Sequence, residues 1–272
     1  MESFFFIPGD RLHKISDIRK LNVSQVIIDL EDAVKVSERE YILKQLIDRT
    51  EYSEYYIRVP LYNIVGALDT HIFSELYKKG FRKFVFPKIQ KASDFDIIIT
   101  ERDYSEVLII LLIETAGFFI EAKEVLFKYR NIFTGIGLGS HDLMAEIGGI
   151  HNLNNLEYLR LQILYLARAI KILAIDIACM ELNSSRVLEE EILDGLEKGY
   201  DAKFFIHPWQ ISILKSILLY SDEELNWAQK VQKELEKVDN ESEFNPIIID
   251  GQIIERPHLA KAKKIIKYYE TK

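Results

Sequence analysis

Apolar runs of strand length recur along this chain, and most are followed by a stretch with helical spacing. The pair that organises the rest lies between Val107 and Met144. The run Val107 to Ile113 is too short to cross a bilayer and too β-branched for a surface helix, which predicts a strand buried on both faces. It stops on Glu114. A helical pattern follows from Phe118 to Lys128, and a second run, IFTGIGLG, opens onto Ser140, His141 and Asp142. The same alternation is set up by SFFFIPGDR, QVIIDLEDA, YYIRVP, KFVFPK, ILAIDIAC and KFFIHPWQ, with helical patterns over roughly 12–21, 38–49, 68–79, 156–170 and 189–198. Eight such runs predict an α/β fold, a (β/α)8 TIM barrel.

Beyond His207 the pattern continues past what a barrel needs to close. An amphipathic helix over roughly 223–237, the acidic linker VDNESEFNP, a hairpin-like turn at Asp250 and Gly251 and a basic terminal helix make up the tail. We therefore expect a catalytic barrel over residues 1–220 and a helical extension over 221–272 that acts as a lid or subunit contact. No repeat at solenoid spacing and no low-complexity segment is present.

Composition narrows the function without naming it. The 272 residues include 43 acidic against 35 basic ones, a formal charge of −8 with no long basic run, which argues against nucleic acid as a partner. The apolar content of 48% is that of a folded soluble chain, residues 1–10 lack the features of a secretory signal, and neither points to a membrane. Cys179 is the single cysteine, so no intramolecular disulfide or cysteine metal cluster forms, and a cytoplasmic location is expected. Six histidines without HExxH spacing give zinc little support.

The candidate chemistry lies at the carboxyl ends of the predicted strands. Adjacent parallel strands would bring Glu114 and Asp142 together, a pair suited to Mg2+, which prefers oxygen ligands and keeps several waters. The alternative is that both are bonded into strand-end turns. The second run ends in Asp29, Glu31 and Asp32. Asp29 and Glu31 alternate with apolar residues, so one of them is expected to face the mouth, whereas Asp32 is either a site residue or part of a helix start in which Ser37 and Glu40 make a capping-box pattern. Arg58 near the end of the third run needs an anion, either a carboxylate such as Asp29 or Glu31 or a substrate. Lys88 follows Pro87 at the fourth strand and is expected to be exposed, which disfavours a Schiff base. The loops after the seventh and eighth runs, IACMELNS and IHPWQ, contain no glycine, which disfavours a sugar-phosphate site. No nucleotide-binding glycine motif occurs.

Read together, FIPGDR at 6–11, IDLEDAV at 28–34, IRV at 57–59, FPK at 86–88, LIETA at 112–116, the G-x-x-D-L ending at Leu143, AID at 174–176, IHPWQ at 206–210 and DGQIIERP at 250–257 resemble the citrate lyase beta-subunit-like family, which includes malyl-CoA lyases. The resemblance covers nearly the whole chain. It implies a trimer of barrels holding Mg2+ at Glu114 and Asp142, with Arg58 on a 2-oxo acid or the reacting oxygen, Arg11 in the same mouth, and a C-terminal segment that brings a carboxylate to a neighbouring subunit.

Three departures from the family pattern stand out. His141 precedes the expected metal ligand where relatives carry an acid or asparagine. Gly117 and Phe118 follow ETA where an arginine is common, and Glu255 stands where the lid usually has aspartate. The reaction expected is Mg2+-dependent carbon–carbon cleavage or condensation between a 3-hydroxyacyl unit, possibly a CoA thioester, and a 2-oxo acid such as glyoxylate, oxaloacetate or pyruvate. The catalytic set expected is Arg58, Asp29 and Glu255, with Arg11, Arg58, Glu31, Asp32 and Lys88 at the substrate and Glu114 and Asp142 at the metal. Two alternatives remain: an aldolase on a free hydroxy acid without CoA, and a barrel without catalysis that serves as a binding or assembly subunit.

Overall fold

The computed structural model describes residues 1–100, 104 and 106–271. The chain divides into two compact units, Met1–Ser216 and Ile217–Lys272.

The first unit is a closed barrel of parallel strands, in chain order around the ring. Its strands are β1 Glu2–Pro8, β2 Gln25–Asp29, β3 Tyr56–Arg58, β4 Lys83–Phe86, β5 Leu108–Ile113, β6 Phe133–Leu138, β7 Leu173–Asp176 and β8 Ala202–Phe205. Between and after them run α1 Ile15–Lys20, α2 Arg39–Ile47, α3 His71–Lys78, α4 Ala92–Thr100, α5 Ala116–Lys128, α6 Ser140–Glu146, α7 Leu153–Ile170, α8 Ser185–Lys198 and α9 Pro208–Ser216. The fold class expected from the eight runs is thus the one found, with α4, α6 and α9 as helices that hydropathy spacing did not mark out. The expected helix start at Ser37 and Glu40 is corrected: no capping box forms, because a 3-10 turn at Val36–Glu38 leads into α2 and no side chain caps the helix.

Side-chain alternation along each strand decides what faces the barrel axis. Phe4, Ile27, Tyr56, Val85, Ile110, Leu112, Ile175, Ala202 and Phe204 form the inner core. Because successive residues face opposite ways, the residues two further on, Phe6, Asp29, Arg58, Glu114 and Ile206, stand at the carboxyl-end mouth. The inward glycines of β6 make room for this aromatic filling: a Cβ on Gly137 would stand 2.5 Å from the Phe204 ring.

Residues of the opposite parity face the helices. Asp176 points away from the axis, where Arg160 of α7 holds it through Nε at 2.9 Å and Nη2 at 2.7 Å, while Nη1 reaches Asp194 at 2.5 Å. Arg160 and Asp176 are both fully buried, and Gly195 is required beside them because a Cβ there would lie 2.4 Å from Asp176 Oδ2. Removing one partner of a buried pair strands the other charge, at about 3–5 kcal/mol. Arg160→Met is therefore expected to lose about that much stability in urea unfolding, and an Arg160→Met, Asp176→Leu double variant to recover much of it. A loss under about 1 kcal/mol for the single variant would remove the pair from the stability account.

The second unit comprises α10 Asp222–Leu235, β9 Ile247–Ile249, β10 Gln252–Ile254 and α11 Arg256–Thr271. Ser221 and Glu224 form a capping box on α10, and α10 packs against α11. The two strands pair antiparallel across Asp250 and Gly251, both at positive φ (51° and 80°), as a two-residue hairpin turn requires. Glu255 follows at the end of β10; it is exposed, and its carboxylate joins no ion pair among the described residues. Among the described residues no helix is long and apolar enough to cross a membrane.

Candidate active site

The strand register sets Asp29 directly beside Arg58. Their side chains form a two-pronged pair, Arg58 Nε to Asp29 Oδ1 at 2.7 Å and Nη2 to Oδ2 at 2.6 Å. Asp29 also accepts from the backbone N–H groups of Glu31 and Ala33, so its lone pairs are committed. The third arm of Arg58 makes ion-pair contacts but no hydrogen bond among the described residues. Nη1 lies 3.6 Å from Glu31, 3.7 Å from Asp32 and 4.0 Å from Glu114, beyond hydrogen-bond length in each case. Phe6 sits under the guanidinium, 5.0 Å from its ring centre.

Lys88 ties the other side together. Its Nζ contacts Glu31 at 2.8 Å, Asp32 at 2.5 Å and Asp142 at 3.8 Å, and its own N–H donates to Glu114 Oε2 at 2.8 Å. The expectation of an exposed lysine is corrected, because these carboxylates draw it into a half-buried position. Its φ of 53° is a left-handed conformation rare for a side chain of this size, here held by the bond to Glu114. Asp29 and Glu31 share one parity, so both, rather than one, approach Arg58.

Five carboxylates, Asp29, Glu31, Asp32, Glu114 and Asp142, thus surround two cations. The surplus shows in their titration. Burial pushes the Glu114 carboxyl up to about 8, with Asp142 adding to the shift and Arg58 opposing it. Burial likewise raises Glu31 to about 7, its hydrogen bond to Asp32 adding to this. Burial acts on Asp32 too, but hydrogen bonds from Glu31 and Lys88 hold it below its ordinary value. One Glu31 oxygen, Oε2, is buried and accepts no hydrogen bond among the described residues, with Arg58 Nη1 3.6 Å away.

This excess of carboxylates over cations fits a hard divalent cation. Glu114 and Asp142 are the donors available to it, and Gly139 keeps the place open: a Cβ there would fall within 2.4 Å of Glu114 Oε1. Among the described residues no group of three or more His, Cys, Asp or Glu side chains forms a ready metal cage. Two protein carboxylates with water elsewhere is the habit of magnesium rather than of zinc.

The mouth encloses a cavity of about 290 Å3 lined by Asp29, Asp32, Arg58, Glu114 and Asp142 on one side and by hydrocarbon on the other. Arg11, expected in the same mouth, is not in its lining; residues 9–14 wind into a 3-10 turn, leaving the guanidinium largely exposed and 4.0 Å from Asp10. Two arrangements carried no local sequence signal. His141 stacks face to face on His151 with ring centres 3.7 Å apart, and His151 Nε2 bonds Ser140 Oγ at 2.9 Å. Gln210, fully buried, accepts from the Ile206 N–H and donates to the Cys179 carbonyl, tying together the chain ends beyond β8 and β7.

The model of the HpcH/HpaI aldolase/citrate lyase family matches residues 2–208. The chain belongs to that family. It is 25% identical over 278 residues to (3S)-malyl-CoA thioesterase of Cereibacter sphaeroides, across 99% of this chain and 94% of that protein. It is also 25% identical over 285 residues to citrate lyase subunit beta of Leuconostoc mesenteroides subsp. cremoris, across 97% of this chain and 92% of that one. Among solved structures, CitE of Mycobacterium tuberculosis in complex with magnesium, acetoacetate and coenzyme A superposes with a TM-score of 0.80 at 24% identity, covering 98% of this chain and 97% of that chain. This family member therefore shares the fold of CitE.

Proposed function

We propose that this protein is a magnesium-dependent carbon–carbon lyase or aldolase, which cleaves or condenses a 3-hydroxyacyl unit with release or uptake of a 2-oxo acid. The observation that carries the reading is the set of Glu114, Asp142 and the Nη1 of Arg58, which faces Glu31, Asp32 and Glu114 without a hydrogen bond among the described residues, around one cavity. Glu114 and Asp142 would hold magnesium, which would supply Lewis acidity to the substrate's oxygens. In the cleavage direction a base takes the substrate hydroxyl proton, the C2–C3 bond breaks, and its electron pair moves into the acyl carbonyl as an enolate. Arg58 Nη1 is the donor for an oxygen that gains charge, and Asp29 fixes the plane of the guanidinium rather than moving a proton itself. Glu31, Asp32 and Lys88 set the charge around Arg58.

Among the described residues the carboxylates of the mouth are engaged with Arg58, Lys88 or the metal position, which is the case for Glu255 of a neighbouring subunit as general acid or base in a cytoplasmic homotrimer. Relatives named for a thioesterase and for a lyase subunit leave the acyl carrier open, so both a CoA thioester and a free hydroxy acid belong to the test. The enzyme is incubated with (S)-malyl-CoA, citramalyl-CoA or the free acids, with and without Mg2+. A magnesium-dependent 2-oxo acid product supports the reading, whereas malate or citramalate with free thiol marks hydrolysis and overturns it. Mixing inactive Arg58→Ala with inactive Glu255→Ala subunits restores activity only if the site is shared.

A further inference from the structure

The two sides of the cavity differ in kind, and the difference follows the strands. β2, β3, the residues just past β2 and β5 and the start of α6 supply the acids and the arginine, whereas β1, β6, β8 and the residues just past β7 and β8 supply Phe6, Leu138, Ala178, Met180, Phe204 and Ile206. No lysine or arginine among the described residues stands in that second wall. Among the described residues Arg58 is the arginine that lines the cavity, with two of its three arms taken by Asp29, and Lys88 reaches the lining acids Asp32 and Asp142 from outside it. His141 also lines the cavity, beside Asp142 in the chain and stacked face to face on His151.

The hydrocarbon wall is held in place. Gln210 Oε1 accepts from the Ile206 N–H at 2.9 Å, and its Nε2 donates to the Cys179 carbonyl at 2.7 Å, so the segments that carry Ile206, Ala178 and Met180 are braced on one buried amide. Phe204 is 2% exposed and seated over Gly137, where a Cβ would lie 2.5 Å from its ring. Phe6 belongs to the Arg58 end, since the guanidinium lies 5.0 Å from its ring centre; a charged group brought against Phe204 and Ile206 would lose water to hydrocarbon, while an alkyl group would gain burial.

We propose that the 2-oxo acid handled at this site is a monocarboxylate whose far end is a short alkyl group, with Phe204 and Ile206 selecting against a second carboxylate. The inference rests on the reading of the site as a magnesium-dependent 2-oxo acid site. In it the single carboxylate and the 2-oxo group lie on the charged side and the alkyl group lies over Phe204.

The test uses two ligands that share the 2-oxo acid head and differ at the far end, 2-oxobutanoate ending in methyl and oxaloacetate ending in carboxylate, with pyruvate as the shortened head. Binding of each to the full-length protein is followed by calorimetry with and without Mg2+. The expected result is magnesium-dependent binding of pyruvate and 2-oxobutanoate, with 2-oxobutanoate at least about tenfold tighter than oxaloacetate, the discrimination one small group commands in an apolar pocket. Ile206→Arg, at a half-buried strand end, is expected to narrow or reverse that ratio. Oxaloacetate binding as tightly as 2-oxobutanoate to the unaltered protein, with pyruvate still bound, overturns this inference and leaves the function reading standing. Failure of all three to bind with Mg2+ overturns both.

Discussion

Glu114→Gln is expected to lower magnesium-dependent turnover by about a thousandfold, the order associated with removing a principal electrostatic contact to developing charge. The substitution preserves shape. Its amide oxygen can still accept the Lys88 N–H that Glu114 accepts at 2.8 Å, so the left-handed turn at Lys88 is retained. What disappears is the charge that a cation needs. A ligand that binds only the folded state adds about 2.7 kcal/mol of stability at a hundred times its dissociation constant; that increment, read as a shift in urea midpoint with Mg2+, is expected in the native protein and absent in Glu114→Gln.

The metal-free protein provides a second readout. Glu114 holds a proton in the folded state up to about pH 8, and an exposed glutamate in the unfolded chain releases it near its ordinary value of 4.5. Between these values the folded state binds more protons than the unfolded one, so stability falls as pH rises and levels off above about 8. Burial of Glu31 contributes in the same direction up to about 7. Glu114→Gln is expected to flatten the upper part of this slope. An unchanged slope together with an unchanged magnesium response would take Glu114 out of the site.

The positions of the acids and the arginine were legible in the sequence because barrel strands alternate. Once an apolar strand is placed, Asp29, Arg58 and Glu114 fall at its carboxyl end on the inward parity, and no long-range information is needed. Asp176 has the same position in sequence and the opposite parity. Its partner, Arg160, comes from a helix that looks only amphipathic, so a buried ion pair of the outer layer reads as one more strand-end acid. Lys88 reads as exposed because its environment is assembled from Glu31, Asp32 and Asp142, which lie far from it in the chain. Arg11 is displaced by a feature of local geometry, a 3-10 turn after Gly9, whose need for glycine is a close approach: a Cβ would fall 2.7 Å from Leu30. Gln210 and the His141 and His151 stack depend on contacts between loops, which neither spacing nor composition records.

Arg58→Lys is expected to cut kcat/KM by about a hundredfold to a thousandfold while leaving the barrel folded. The present arginine does two things at once. Nε and Nη2 satisfy Asp29, which is 2% exposed, and Nη1 remains directed among Glu31, Asp32 and Glu114 without a hydrogen bond of its own. A lysine ammonium is a single point with no fixed fork, so it can sit on Asp29 or on a substrate oxygen but cannot hold the planar arrangement that serves both. Asp29 keeps its two backbone donors, Glu31 and Ala33, and the strand pairing of β2 with β3 does not involve the side chain, so the fold is expected to survive. If Nη1 acts mainly on charge that develops during the reaction, kcat and kcat/KM fall together; if it anchors the bound acid, KM rises and kcat is spared. Adding guanidinium to Arg58→Ala distinguishes position from mere charge, since a free guanidinium can re-form the fork on Asp29 and offer its third edge to the substrate. Rescue by guanidinium but not by ammonium is the expected outcome. Near-native kinetics for Arg58→Lys would reduce Arg58 to a partner of Asp29 and nothing more.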